Sequence, residues 1–213
     1  KKNKLKGING NLSLSYGQGR YARSNDGVTL NYSNKKITLF SNFSYGNNNS
    51  YHDLTINRRY KNEDLTTKSI FTQNTYIKSA NESYNLRLGL DYYLSNKTTL
   101  GITTKGLSNV SKDSRYNYAE FLNADNSLNS KIIADNKEND AFKNGALNLN
   151  LRHQFDSIGK QLTIDADYVA YETKLFQSYK NDVLQPDGTS TYSDLQHGNL
   201  PSNITIYAFK ADY

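Results

Sequence analysis

The sequence contains no cysteine, no methionine and no tryptophan, and only two of its 213 residues are proline. Without cysteine, the chain cannot be a small secreted scaffold held by disulfides, although a location in the cell envelope stays compatible. With so few prolines, long strands can pair without losing backbone donors. No apolar run approaches the ~20 residues that a membrane-spanning helix requires. The sequence therefore predicts no membrane-spanning helix.

Composition narrows the class of protein further. Hydrophobic residues make up 36% of the chain and the mean hydropathy is −0.80, which is poor for a soluble domain that must fill a core. A transmembrane barrel needs apolar side chains only on its outer band, so a low overall hydropathy is expected there. The 18 tyrosines favour strands. The net charge of +6 favours anionic neighbours such as lipid headgroups, and it is too small and scattered to indicate nucleic acid.

The clearest pattern lies in residues 84–105. From Tyr84 to Tyr92 the even positions are apolar and the odd positions are polar or small, a period of two that indicates an extended strand. A tight turn around Asn96-Lys97 leads to a second alternating arm, which completes a β-hairpin. The two tyrosines lie at the ends of an apolar stretch that spans about 20 Å when tilted, close to the ~25 Å apolar band of a membrane barrel.

The same alternation recurs along the chain and predicts eight strands. Tight turns fall near residues 34, 96 and 158 at even spacing, and an aromatic residue precedes each of them: Tyr32, Tyr92 and Phe155. One aromatic girdle would require this placement. Residues 17–26, 46–83, 111–144 and 177–201 are mostly polar and are predicted to be loops, except that residues 69–77 could extend a strand above the membrane. Short turns at one end and long loops at the other are typical of an outer-membrane barrel. Phe40 alone breaks the alternation.

The alternation assigns side chains to two faces. The polar face is predicted to line a lumen, where mixed charges would bind a plug or form a polar path for a substrate. Its candidates are Arg87, Asp91, Lys105, Asn148, Asn150, Arg152, Asp165, Asp167, Lys210 and Asp212. The apolar face is predicted to contact lipid. Its members are Leu86, Leu88, Leu90, Leu100, Ile102, Leu147, Leu149, Leu151, Leu162 and Ile164.

Motifs that suggest chemistry are weak. Residues 17–22 match a G-x-G-x-x-A fingerprint, but a turn sequence follows and no helix begins, so we expect no dinucleotide site. Asp135, Asn139 and Asp140 faintly suggest a calcium loop, although a solvated segment is the stronger interpretation. The three histidines lie in separate segments, and no nucleophile has a base nearby. We therefore expect no metal, no cofactor and no enzymatic activity.

Several strand segments resemble a known family. Residues 10–17 with Asn31-Tyr32, residues 89–94 with 96–101, and the closing residues 209–213 are similar to the barrel of TonB-dependent outer-membrane receptors. They are more closely similar to the outer membrane protein beta-barrel family within that group. The resemblance implies a 22-stranded barrel with a plugged lumen, an N-terminal plug domain and a TonB box. Neither the plug nor the box is visible in this sequence.

We interpret residues 1–213 as a partial outer-membrane barrel domain that covers about the first third of such a barrel. The expected function is TonB-dependent uptake of a scarce nutrient. The expected partners are outer-membrane lipid, the receptor's own plug domain, TonB, and a small-molecule or oligomeric ligand, with no nucleic acid. Two alternatives remain open. One is a closed eight-stranded barrel that acts as an adhesin or envelope anchor, and the other is a soluble extracellular carbohydrate-binding β-domain.

Overall fold

The computed structural model describes residues 7–156 and 158–213, and every element in this part of the chain is a strand. The strands are β1 (Gly7–Gln18), β2 (Ala22–Ser33), β3 (Ile37–Lys61), β4 (Thr67–Tyr93), β5 (Thr98–Asn123), β6 (Leu128–Gln154), β7 (Gln161–Leu184) and β8 (Ser190–Asp212). They form a single sheet in sequence order, and each pairs antiparallel with its neighbours in the chain. The predicted all-β antiparallel fold and its eight strands are confirmed.

The three predicted tight turns are confirmed, at one end of the sheet. Side chains close them on the backbone. In the first turn the Asn34 Oδ1 accepts hydrogen bonds from the backbone N–H groups of Lys36 and Ile37, at 2.7 and 2.8 Å. In the third turn the Asp156 Oδ1 accepts from the N–H groups of residues 158, 159 and 160, each at 3.0 Å. Ser157, which belongs to this predicted turn, lies outside the described residues.

The predicted long loops are wrong. Residues 46–83, 111–144 and 177–201 are mostly strand, because β3 to β8 have 23–27 residues each. The strand expected at residues 69–77 lies within β4. Crossing a bilayer takes only ~9–11 residues of a tilted strand. Beyond the bilayer both faces of a strand are polar, so the period of two in hydropathy disappears while the backbone ladder continues. The predicted loop at 17–26 is likewise only a turn at residues 19–21 between β1 and β2.

The turns at the far end share one construction. Asp64, Asp125 and Asp187 each accept a hydrogen bond from the backbone N–H two residues later, at 3.0, 2.9 and 2.8 Å. The residue after each aspartate has a positive φ: 67° at Leu65, 66° at Asn126 and 88° at Gly188. The strand register shifts beside each of these turns. A left-handed residue with an adjoining bulge is a common way to close a short hairpin.

These turns predict a sensitivity to acid. Hydrogen bonds from Thr66, Ser127 and Thr189 hold the pKa values of Asp64, Asp125 and Asp187 below their usual range. Since the folded pKa is the lower one, the stabilisation is complete above the unfolded pKa of about 3.9 and is lost as pH falls through the folded pKa. We expect amide hydrogen exchange at residues 62–66, 123–127 and 185–189 to accelerate below about pH 4, after correction for intrinsic rates.

Asp64→Asn supplies the control for that experiment. An amide keeps the acceptor oxygen but does not titrate in this range, so residues 62–66 should lose the acid step. The other two turns should keep it in the same molecule. An unchanged step at 62–66 in this variant would show that the aspartate is not its origin.

No apolar core lies within the described part of the sheet. Ala119 and Ala134 are the only buried apolar residues there, whereas Leu86, Leu88 and Ile102 are 40–41% exposed. Aromatic side chains mark both ends of the apolar band. At one end the rings of Tyr45 and Tyr84 are in contact, with their centroids 5.0 Å apart. At the other end the Phe155 ring centroid lies 4.6 Å from that of His153 and 5.8 Å from that of Tyr213. An exposed apolar band between aromatic rows is the surface that a bilayer covers.

Candidate functional site

The strand register places all ten candidate lumen residues on one face of the sheet. We call residues that are direct register partners across neighbouring strands a row. One row on this face crosses β4 to β8 and consists of Asp91, Gly101, Asn150, Asp165 and Lys210. The ten candidate lipid-facing residues lie on the opposite face, in rows such as Leu90, Ile102, Leu149 and Ala166. We name the first the polar face and the second the outward face. The strand register therefore separates the two predicted sets of residues onto opposite faces of the sheet.

On the polar face, the side chains at the level of the apolar band form hydrogen bonds and ion pairs with one another. The Asn148 Nδ2 donates to the Asp167 Oδ1 at 2.7 Å, and the Asn150 Nδ2 donates to the Asn148 Oδ1 at 3.3 Å. The Lys210 Nζ lies 2.6 Å from the Asp212 Oδ2, with both side chains more than half exposed. A wet interior would hold such pairs with little net stabilisation. The ten candidate residues include four basic and four acidic side chains, so this part of the face is hydrophilic but close to neutral.

Phe40 breaks the alternation for a structural reason. It lies on the polar face directly opposite Gly89, and its ring covers that glycine. A Cβ at position 89 would overlap the ring, so only glycine fits beneath it. The Arg87 guanidinium lies 5.2 Å from the ring centroid, which adds a cation–π contact. An aromatic ring that covers a strand glycine protects the exposed backbone.

A concavity of about 1090 Å³ lies on the polar face at the end with the three predicted turns. Asp91, Asn150 and Arg152 line it from the strands, and Lys35 and Lys97 line it from the turns. The Lys97 Nζ also donates to the backbone carbonyl of Phe155 at 2.9 Å. Three cations surround one carboxylate here, so this end of the polar face suits an anionic or carbonyl-rich surface.

The far half of the polar face carries a second cluster, which the sequence did not reveal because it lies in a predicted loop. The Arg115 guanidinium lies 3.3 Å from the Asp113 Oδ2 and 3.9 Å from the Glu138 Oε2. The Gln177 Nε2 donates to the same glutamate at 3.1 Å. The nearby Asp140 Oδ1 is buried and has no hydrogen-bond partner among the described residues. With three carboxylates and one guanidinium, this cluster has a net negative charge.

The structure excludes two suggestions from the sequence. Asp135 and Asp140 lie on opposite faces of β6, so they cannot share a calcium ion. Residues 17–22 form the end of β1, a turn and the start of β2, with no helix to bind a phosphate. Within residues 7–156 and 158–213, no three His, Asp or Glu side chains come together as metal ligands.

Comparison with known proteins gives one family. The outer membrane protein beta-barrel family matches residues 153–213, which run from the end of β6 through β7 and β8. No curated relative matches the chain. The matched segment contains one of the three predicted turns and two strands that cross the apolar band. The chain is therefore an outer-membrane β-barrel protein, and it is located in the outer membrane.

Proposed function

We propose that the chain forms part of the barrel of a TonB-dependent receptor that takes up a scarce nutrient. The observation that carries the proposal is the open sheet. In the described part, β1 pairs only with β2 and β8 only with β7, so both edges have free backbone groups. Free edges cannot persist within a bilayer, because unpaired N–H and C=O groups are too costly there. We propose that further strands satisfy them, and a larger barrel has room for a plug.

The polar face supports the same proposal. Its concavity at the turn end, lined by Lys35, Lys97 and Arg152, suits carboxylates or carbonyl groups of a plug domain. Its far half, around Asp113 and Glu138, suits a polar ligand that enters from outside. A polar face of this composition favours a hydrophilic small molecule or oligomer over an apolar ligand. TonB would act on the plug and would not contact these strands.

The alternatives gain less support. A closed eight-stranded anchor would pair β1 with β8, and no such pairing occurs among the described residues. A soluble carbohydrate-binding domain would bury its apolar face, yet Leu88 and Ile102 are each 40% exposed. We propose no catalytic role, since the polar face holds charged pairs and amides rather than a nucleophile beside a base.

The test is a comparison of nutrient depletion in the native host. Wild-type cells, cells without this receptor and cells without TonB would grow in medium with many nutrients at limiting concentration. We expect at least one nutrient to remain undepleted in both deletion strains, and the full-length gene to restore its uptake. A receptor deletion that depletes every nutrient as the wild type does would contradict the proposal.

A variant pair would connect that uptake to the polar face. Asp91→Asn with Arg152→Gln removes two charges from the turn-end concavity and should reduce uptake without reducing the amount of receptor in the membrane. Lys68→Gln, at the far end of β4, serves as the control and should transport normally. Normal uptake by the double variant would show that these charges are not needed for transport.

A further inference from the structure

The outward face becomes basic immediately beyond the apolar band. The four outward rows that contain Tyr84, Glu82, Ala80 and Lys78 carry five lysines and three carboxylates, which are Asp26, Glu82 and Glu172. We call these lysines the lysine belt: Lys78, Lys112, Lys137, Lys143 and Lys174. All five are exposed. Outward rows are ~6.7 Å apart along a strand, so the belt is about 20 Å wide along the strands.

Position relative to the bilayer distinguishes the belt from scattered surface charge. Lys143 shares its row with Tyr84, the aromatic residue that ends the apolar band, through Ser108. Lys174 lies in the next row with Glu82, and Lys112 lies in the row after that with Ala80. The lysines therefore begin at the level where hydrocarbon gives way to headgroups.

The polar face at the same height has the opposite sign. The polar rows between those of the belt carry Asp113, Glu138 and Asp140 on β5 and β6, against the single cation Arg23 on β2. Arg115 lies in the polar row just beyond Lys78. The overall basic composition of the chain would place positive charge on both faces. Here the sheet is polarised, with lysines on the side that faces lipid and carboxylates on the other.

Three of the five belt lysines make no ion pair among the described residues, although Lys143 lies opposite Glu172 in the register. Lys174 pairs with Glu172 at 2.6 Å, and Lys137 pairs with Asp135 at 3.5 Å. Lys112 and Lys143 make no ion pair among the described residues. Lys78 makes none there either, and its ammonium lies 4.9 Å from the centroid of the Tyr21 ring.

We propose that the lysine belt binds the phosphate groups of anionic lipid headgroups in the outer leaflet. The belt supplies a row of ammonium donors at headgroup height, and lysine binds phosphate as a compact point charge. The lipid's acyl chains would lie against the apolar band directly below, beside Leu86 and Phe43. Bound lipid would thus hold the sheet at a fixed depth in the membrane. This binding depends on the location of the chain and not on the nutrient-uptake proposal.

The experiment uses the full-length protein in a non-ionic detergent and three probes. They are lipid A with two phosphates, the same lipid without phosphate, and inorganic phosphate alone. Binding would be measured by native mass spectrometry and by fluorescence titration. We expect tight, salt-sensitive binding of the phosphorylated lipid, little binding of the dephosphorylated lipid, and no competition from inorganic phosphate at concentrations comparable to the lipid.

The test variant replaces the three lysines that make no ion pair, as Lys78→Gln, Lys112→Gln and Lys143→Gln together. We expect its dissociation constant for phosphorylated lipid A to rise by on the order of a hundredfold, since each lysine near an anionic surface contributes about fivefold. The matched control loses the same charge elsewhere, as Lys68→Gln, Lys131→Gln and Lys160→Gln, and should bind as the wild type does. Single Lys112→Glu serves as a second variant with a smaller change, in case the triple variant assembles poorly.

Three results would overturn the proposal. The first is wild-type affinity in the triple variant and in Lys112→Glu. The second is equal weakening by the control triple, which would indicate a general charge effect. The third is equal binding of dephosphorylated lipid, or displacement of the lipid by inorganic phosphate at comparable concentration, which would show that the belt does not bind a lipid phosphate.

Discussion

Leu88→Arg is expected to destabilise the full-length barrel in a bilayer by about 2–4 kcal/mol, the cost of a lipid-facing arginine near the midplane. Leu88 lies midway between Tyr84 and Tyr92 on the outward face and is 40% exposed, so nothing in the described sheet would cover the guanidinium. Reversible unfolding by urea or guanidinium in lipid vesicles would measure the change. The loss comes chiefly from moving a charge into hydrocarbon, because 40% of the Leu88 side chain faces away from the protein.

Thr103→Arg is the matched control. Thr103 lies on the polar face in the row of Gly89, next to the row of Leu88, so its side chain points away from lipid at nearly the same depth. We expect a change within about 1 kcal/mol, as for other lumen substitutions near charged neighbours. Equal destabilisation by both arginines would show that the two faces are not lipid and water.

Gly89→Val is the second substitution with a large expected effect. A Cβ at position 89 would overlap the Phe40 ring, whose centroid lies 5.2 Å from the Arg87 guanidinium. We expect a loss of about 1–3 kcal/mol from overpacking, measured by the same unfolding experiment. Because the cause is one ring, Phe40→Ala in the same chain should recover a large part of the loss, giving a coupling energy of about 1 kcal/mol or more.

Gly106→Val separates this overlap from any general effect of losing a strand glycine. A Cβ at position 106 would meet no atom within 4 Å, and the residue faces outward in the apolar band. Valine also favours strands over glycine. We therefore expect no loss of stability at 106. If Phe40→Ala failed to improve Gly89→Val, the ring would not be the cause.

The sequence predicts the membrane half of this protein well and the outer half poorly. Within the apolar band hydropathy alternates, and it assigns residues such as Leu88 and Arg87 to opposite faces of the sheet, as the strand register also does. Outside the band the same strands have water on both sides. Backbone pairing continues there without any signature in hydropathy, which is why residues 111–144 were predicted to be a loop although they complete β5 and begin β6.

A better signal for the outer half was present in the turns. Each far turn combines an aspartate, a residue that tolerates or is forced into positive φ, and a serine or threonine, as in Asp125-Asn126-Ser127. Asp187-Gly188-Thr189 follows the same order and is a recognisable hairpin sequence. The turn at Asp64-Leu65-Thr66 is harder to recognise from sequence, because leucine rarely adopts the positive φ that Leu65 has here. The polar-face cluster around Arg115 could not be predicted, since its register depends on strands that had not been recognised.

The order of the strands also determines how this chain folds. In the described part of the chain every strand pairs only with its neighbours in sequence, so even the widest pairs, such as Thr98 with His153, are about a quarter of the chain apart. Loop-closure entropy grows slowly over such distances, and topologies with local contacts fold quickly. Each completed strand offers its edge as a template for the next one. Strands can thus pair one after another in sequence order. Only the pairing of the first and last strands of the complete barrel would join segments that are far apart in sequence.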